Sequence, residues 1–391
     1  MEKNELPLRY GVNPYQVPAK VSMKCGEFPF TVLSGTPGYI NLLDALNSWQ
    51  LVKELRQTLD LPAAASFKHV SPAGAAISIP LNEVLRKSYA VEDLELSPLA
   101  TAYARARGAD RLCSYGDWAA LSDVMDVATA RLLSREVSDG VIAPGYEPEA
   151  LELLRKKKQG KYVVLHIDPD YEPAEMETRD VFGITFEQKR NTLVPGNNML
   201  NNIPTANKTL PENARQDLIV ALITLKYTQS NSICLTLDGQ SIGIGAGQQS
   251  RIHCTRLAAS KAENWYLRQH SAVLDLPWKQ RVTRPDKANA IDLYLRDDLT
   301  PAEEKAWERL FEQVPRRLSP QEKEEWLKGL RGVTLGSDGL IPFRDNIDCA
   351  SRYGVAYVVQ PGGSLRDEEV ITACNDYGMF MAFSGARLFH H

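Results

Sequence analysis

The sequence predicts an α/β fold, and three observations carry that expectation. Short β-rich runs alternate with stretches of helical spacing, a pattern that builds layers of helices on a sheet. Hydrophobic residues make up 43% and charged residues 24% of the chain, as in ordinary globular proteins. At 391 residues the chain exceeds one ordinary domain, so two or three units are expected.

Phe30-Thr31-Val32-Leu33 reads as a strand, ended by the turn-forming Ser34 to Gly38. From Leu42 to Leu59, apolar residues at Leu43, Ala45, Leu46, Trp49, Leu51, Val52 and Leu55 follow mainly helical spacing, with charges on the other face. Ala63 to His69 reads as a strand running into a loop at Ser71-Pro72-Ala73-Gly74, and Tyr162 to Ile167 as another strand. Around Asp180 the alternation begins again. A helix is expected from Leu210-Pro211-Glu212 through Leu225, a strand from Ser232 to Leu237, a hairpin-like Asp238-Gly239, and a helix after Arg251. Residues 284–332 differ. Thr300-Pro301-Ala302-Glu303 and Ser319-Pro320-Gln321-Glu322 each supply an N-cap, Pro at N1 and Glu at N3, which predicts two short charged helices in an insertion. Gly332 suits the end of the second. Val355 to Val359 then returns to strand character.

Composition narrows the function classes. Lys plus Arg is 45 against 49 for Asp plus Glu, a net charge of −4, where sequence-independent nucleic-acid binding needs a basic excess. The longest apolar run, Leu218 to Leu225, already contains Thr224 and is far short of the ~20 residues of a membrane span. The N-terminal MEKNELPLRYG has no apolar signal-peptide core, so a soluble, cytoplasmic protein is expected. The six cysteines include no C-x-x-C pair, which argues for free buried thiols. A zinc nucleoside deaminase needs H-x-E followed by P-C-x-x-C; His166-Ile167-Asp168 has no cysteine pair after it, and no zinc is expected.

Lys68-His69 is the sharpest local signal. A cation beside a base that titrates near neutrality, entering a Pro/Gly loop, suits proton transfer. Adjacent strand residues face opposite sides, so both reach one pocket only if the strand ends or bulges there. A surface lysine beside a hydrogen-bonded histidine would read the same way. Gly243 to Arg251 places glycines before a helix start, suited either to an anion held by backbone N–H groups or to tight strand–helix packing. The polar run Lys226 to Ser232 fits a plain loop or an amide presented to a ligand carbonyl. Arg344-Asp345-Asn346 fits a helix cap or a polar site. On these residues alone, the chain reads as a soluble α/β protein able to bind a phosphorylated small molecule.

Taken together and in order, RYGVNPYQ (Arg9 to Gln16), AAASFKHVSPAGAA (Ala63 to Ala76), YARARGADR (Tyr103 to Arg111), REVSDGVIAPGY (Arg135 to Tyr146), KYTQSNS (Lys226 to Ser232), IGIGAGQQSRIHCTRLA (Ile242 to Ala258), PFRDN (Pro342 to Asn346) and the terminal RLFHH resemble the 5-aminoimidazole-4-carboxamide ribonucleotide (AICAR) formyltransferase domain of the bifunctional purine-biosynthesis protein. The resemblance covers essentially the whole chain. It implies transfer of a formyl group from the co-substrate 10-formyltetrahydrofolate to the 5-amino group of AICAR. Ring closure to inosine monophosphate belongs to a separate N-terminal domain in that family, so this chain is expected to lack it. A non-catalytic AICAR-binding regulatory protein is the alternative, prompted by Leu340-Ile341 where the animal form has two phenylalanines.

The same resemblance assigns roles. His69 accepts the proton of the attacking amine, Lys68 stabilises charge on the formyl oxygen, and Asn231 orients the reactants. Arg9, Tyr10, Gly116, Asp139, Arg251, Leu340 and Arg387 match AICAR contacts, and Ile252, Asp345, Asn346 and Ser364 match the folate pocket. Tyr115 stands for a phenylalanine of the animal form. Thr228, Ser230, Ser232, Asp338 and His390 match a structural potassium environment, although a hydrogen-bonded turn explains the same polar residues. The implied fold is two related cytidine-deaminase-like α/β units without zinc, over residues 1–180 and 181–391, with the helical insertion at about 284–332 in the second. The implied assembly is a homodimer with shared active sites, and no nucleic acid or membrane partner is expected.

Overall fold

A computed structural model describes residues 4–391. It opens with a hairpin of β1 (Glu5–Leu8) and β2 (Ala19–Ser22), followed by β3 (Phe30–Ser34). Next come α1 (Tyr39–Leu59), β4 (Ala63–Lys68), β5 (Ser71–Ile77), α2 (Glu83–Ser88), α3 (Pro98–Gly108), β6 (Asp117–Leu121), α4 (Val127–Arg135), β7 (Ser138–Ala143), α5 (Pro148–Lys156) and β8 (Val163–Ile167). An exposed hairpin of β9 (Met176–Val181) and β10 (Ile184–Lys189) contains residue 180. The remainder is α6 (Glu212–Lys226), β11 (Ile233–Leu237), β12 (Gln240–Gly245), α7 (Arg251–Leu267), α8 (Ser271–Leu274), α9 (Arg284–Leu295), α10 (Pro301–Glu308), α11 (Pro320–Leu327), β13 (Val333–Ser337), α12 (Asp345–Ser351), β14 (Val355–Gln360), α13 (Asp367–Asp376) and β15 (Phe380–Phe383).

Eleven strands form one mixed sheet in the order β15-β14-β13-β11-β12-β5-β4-β6-β7-β8-β3. The central pairs are antiparallel and β13-β14-β15 and β6-β7-β8 are parallel. One motif occurs twice: a helix, a β-hairpin, then three further helix–strand units. It runs as α1-β4-β5-α3-β6-α4-β7-α5-β8 and again as α6-β11-β12-α7-β13-α12-β14-α13-β15. The copies join through β5 and β12, where Gln240 pairs with Ala76.

Strand side chains alternate between two cores, as the pleat requires. Ala63, Ala65, Phe67 and Ala120 pack with Leu51 and Leu55 of α1 and with Leu218 and Leu222 of α6 on one face. Ala64, Ala119 and Leu121 join Ala102 and Tyr103 of α3, Ala258 of α7 and Val370 of α13 on the other. The sheet is thus a middle layer, buried on both sides. Among the described residues no helix is long and apolar enough to cross a membrane.

Several local expectations change. Ser71 to Gly74 is strand, not loop, because the β4–β5 turn needs only His69 and Val70 between Lys68 and its partner Ser71. Leu43, assigned to the apolar stripe of α1, is exposed, whereas Asp44 is buried. Both capping boxes form, at Thr300–Glu303 and Ser319–Glu322. Gly332 takes the left-handed φ of 73°, but it does not end the second helix, which stops at Leu327 with Lys328 as its C-cap. The helices α9 to α11 surround a separate cluster that includes Tyr294, Trp307, Phe311 and Leu318.

Candidate functional site

His69 and Val70 form the whole β4–β5 turn, at φ of 52° and 59°. Left-handed backbone is unusual for histidine and more so for β-branched valine. Asp44 of α1 sits beneath the turn, and its Oδ1 accepts the Val70 N–H at 2.7 Å. Burial pushes the Asp44 carboxyl up to about 6, against the pull of the backbone N–H groups of Val70 and His69 and the nearby imidazole. Asp44 was missed in the sequence, yet Asp44, Ser48, Leu51, Val52 and Leu55 share one helical stripe and are all buried.

Because β4 ends at Lys68, the lysine and the histidine are not held to opposite faces of a strand. Lys68 Nζ donates to the carbonyl of Tyr115 at 2.5 Å, beside Gly116, whose φ is 74°. A Cβ on Gly116 would lie 3.9 Å from Asp139 Oδ2, so Lys68, Gly116 and Asp139 occupy one neighbourhood. Asp139 Oδ1 is paired with Lys158 at 2.8 Å. The His69 side chain is exposed.

The turn meets the polar run after α6 directly: the Gln229 N–H donates to Ser71 Oγ at 3.3 Å. Gln229 O in turn accepts from the Gly247 N–H at 2.8 Å. The Asn231 amide is fixed on all sides. Nδ2 donates to the carbonyls of Gln248 and Gln249 at 3.0 and 3.3 Å, and Oδ1 accepts from Arg251 Nη2 at 3.0 Å. Arg251 is buried; its Nη1 donates to Ser232 O at 2.8 Å and is paired with Asp338.

Asp338 also accepts from Ser230 Oγ at 2.6 Å, Ser232 N at 3.0 Å and Ser232 Oγ at 2.9 Å. The C-terminal tail closes the cluster, with Leu388 N donating to Asp338 O at 2.8 Å and His390 N to Ser230 Oγ at 3.1 Å. Thr228 Oγ1 donates to Thr224 O at 2.7 Å. Of the residues matched to a potassium environment, Ser230, Ser232, Asp338 and His390 are therefore joined by hydrogen bonds. The Asp338 charge is met by Arg251. Among the described residues no group of three or more His, Cys, Asp or Glu is placed to hold a metal ion.

The glycines of β12 serve packing. A Cβ at Gly243 or Gly245 would come within 2.1 Å of the Ala258 or Cys254 carbonyl of α7. Only Gly247, at φ 67° with open space around it, belongs to the loop proper. On the folate side, Ile252 is half-buried at the start of α7. Asn346 is buried, accepting from Thr255 Oγ1 at 2.8 Å and donating to Asp345 Oδ1 at 2.8 Å, while Asp345 itself is exposed. Ser364 lies in the loop before α13, where its Oγ accepts the Arg366 N–H at 3.2 Å, and Arg366 stacks 4.8 Å from the Phe343 ring. Leu340 is exposed and Ile341 buried. Arg9 lies over Tyr10 at 5.8 Å and Arg387 over Phe389 at 4.5 Å. Both arginines are exposed, next to Leu8 and Leu388 of one buried cluster.

Residues 1–261 match the family profile described as AICARFT/IMPCHase bienzyme. Proteins named bifunctional purine biosynthesis protein PurH are similar along 98% of the chain: 31% identity in Roseobacter denitrificans, 30% in Magnetococcus marinus and 29% in Elusimicrobium minutum. The chain spans 58% to 59% of the length of these relatives. With a profile match over most of its length and relatives along nearly all of it, the chain belongs to the AICARFT/IMPCHase bienzyme family.

Proposed function

We propose that this chain is an AICAR formyltransferase, taking the formyl group of 10-formyltetrahydrofolate onto the 5-amino group of AICAR. The observation that carries the reading is the left-handed His69-Val70 turn, flanked by Lys68 and joined through Ser71 and Gln229 to the run bearing Asn231. The amine of AICAR is conjugated with its ring and carboxamide, so it is a weak nucleophile. As it attacks the formyl carbon, the exposed His69 imidazole takes its proton. The developing oxyanion is stabilised by Lys68, whose ammonium has three donors and gives one to Tyr115. Collapse breaks the bond to the folate nitrogen, which takes the proton held on the His69 imidazolium and leaves as tetrahydrofolate, returning His69 to its neutral form.

Arg9 and Arg387 suit the 5′-phosphate as guanidinium forks, and Asp139 the ribose hydroxyls. Tyr10, Gly116, Arg251 and Leu340 complete the nucleotide side in this reading. Ile252, Asp345, Asn346 and Ser364 form the folate side. No step passes through potassium. We further propose a cytoplasmic homodimer whose two units per chain divide near residue 180.

The test is tetrahydrofolate formation from AICAR and 10-formyltetrahydrofolate by the purified protein. Turnover is expected, and His69→Ala or Lys68→Ala should each lower it at least about a hundredfold with unchanged thermal unfolding. Wild-type rates in both variants would sink the mechanism.

A further inference from the structure

A cavity of about 540 Å³ lies away from these residues; none of those assigned to AICAR, folate or catalysis lines it. It lies between α1 and the β8–β3 edge of the sheet, where Phe30 and Ile167 are paired. Phe28, Phe30, Leu42, Leu46, Trp49 and Ile167 form its apolar walls, and the volume is that of a small-molecule site. At its rim Lys53 Nζ holds Glu172 at 3.0 Å and Arg190 Nη2 holds the same carboxylate at 3.4 Å. Glu172 belongs to the segment between β8 and β9, and its side chain is 67% exposed. Two cations beside an apolar cavity are therefore joined by a carboxylate that water can reclaim at little cost.

The other charges there are accounted for. Glu54 is paired with Lys226 at 2.5 Å and accepts the Tyr227 hydroxyl at 2.7 Å. Asp168, exposed at the rim, disfavours a ligand with more than one negative charge.

We propose that this cavity binds a small aromatic monocarboxylate, its rings between Phe30 and Trp49 and its carboxylate in the place of Glu172 between Lys53 and Arg190. Flat apolar rings suit aromatic walls, and a bidentate carboxylate suits the arginine fork. The binding does not depend on the formyltransferase reading. An occupant rests against Tyr227 and Glu54, at the start of the run that carries Asn231.

Calorimetry of the full chain with 2-naphthylacetate tests this. Saturable binding at one site per chain is expected, loosened about tenfold by Arg190→Ala or by replacing the probe with neutral 2-naphthylacetamide. Glu172→Ala should tighten it about threefold by removing the competing carboxylate, an effect a merely structural ion pair would not have. Leu46→Trp fills the cavity and should abolish binding. Val194→Trp does the same from a 43% exposed position that tolerates substitution if Leu46→Trp fails to fold. No binding by folded protein, equal binding of the amide, or binding that survives Val194→Trp overturns the proposal. So does displacement of the probe by 10-formyltetrahydrofolate, which would make the cavity the folate site, or by self-association in sedimentation, which would assign it to a second copy.

Discussion

His69-Val70 and Asp238-Gly239 occupy the same place in the two copies of the repeated motif, each pair forming a two-residue hairpin turn at positive φ. Asp-Gly is the pair such turns favour, and His-Val is among the least suited. In both copies a carboxylate from the preceding helix holds the turn: Asp44 below Val70, and Asp217 accepting from Asp238 N at 3.0 Å and Gly239 N at 2.6 Å. The first copy therefore carries backbone strain that the second avoids, at the residues assigned to proton transfer, where strain is commonly kept for function. Val70→Asn keeps the turn with a residue that tolerates left-handed backbone, and should raise stability by about 1 kcal/mol in urea unfolding. A loss instead would mean that Val70 packing, not Asp44, holds the turn. Asp338→Ala leaves buried Arg251 without its counter-charge and should cost about 3–5 kcal/mol, read by thermal unfolding.

At the scale of elements, the second hairpin strand packs onto the next helix so closely that only glycine fits, in both copies. Gly74 against Ala106 of α3 repeats the arrangement of Gly243 and Gly245 against α7. Gly243→Ala should therefore cost at least about 2 kcal/mol by forcing β12 from α7. Gly247→Ala, which meets no neighbour, should cost only its left-handed strain of about 1 kcal/mol. Equal effects of the two on urea unfolding would undo this account. In the insertion, Trp307 is buried with its Nε1 donating to Ala290 O at 2.9 Å and Arg317 stacked at 4.7 Å, so the short charged helices have a core of their own.

For the whole molecule, the carboxylates under the turns shape the dependence of stability on pH. Burial pushes Asp217 up to about 7, only partly opposed by the two turn N–H groups. Its folded value lies above the unfolded value of about 3.9, so the protonated form is the one folding favours. The stability this contributes is complete below about pH 4 and lost as pH rises through 7, on the order of 4 kcal/mol at most. Asp217→Asn removes that dependence. Its deficit relative to the wild type in urea unfolding should shrink steadily from pH 5 to pH 8, and a deficit that grows with pH would contradict the assignment.

Helix and strand positions were readable because they rest on local periodicity and caps. The strands at Phe30 and Tyr162, the helix before Lys226 and the paired Thr300 and Ser319 boxes each satisfy their rule within a few residues. The eight motifs of the family were likewise legible as strings, and they identify the family without any structure. Other features depend on contacts between segments far apart in the chain, which periodicity does not encode. Only the folded chain brings Gln229 to Ser71, Asn231 to Arg251 and the C-terminal tail to Asp338. It also decided between the two readings of the β12 glycines, because a distance of 2.1 Å to a helix carbonyl exists only once strand and helix are packed. Asp44 shows the boundary best: its stripe was visible in the sequence, but its role as the support of the His69 turn depends on where α1 crosses the sheet.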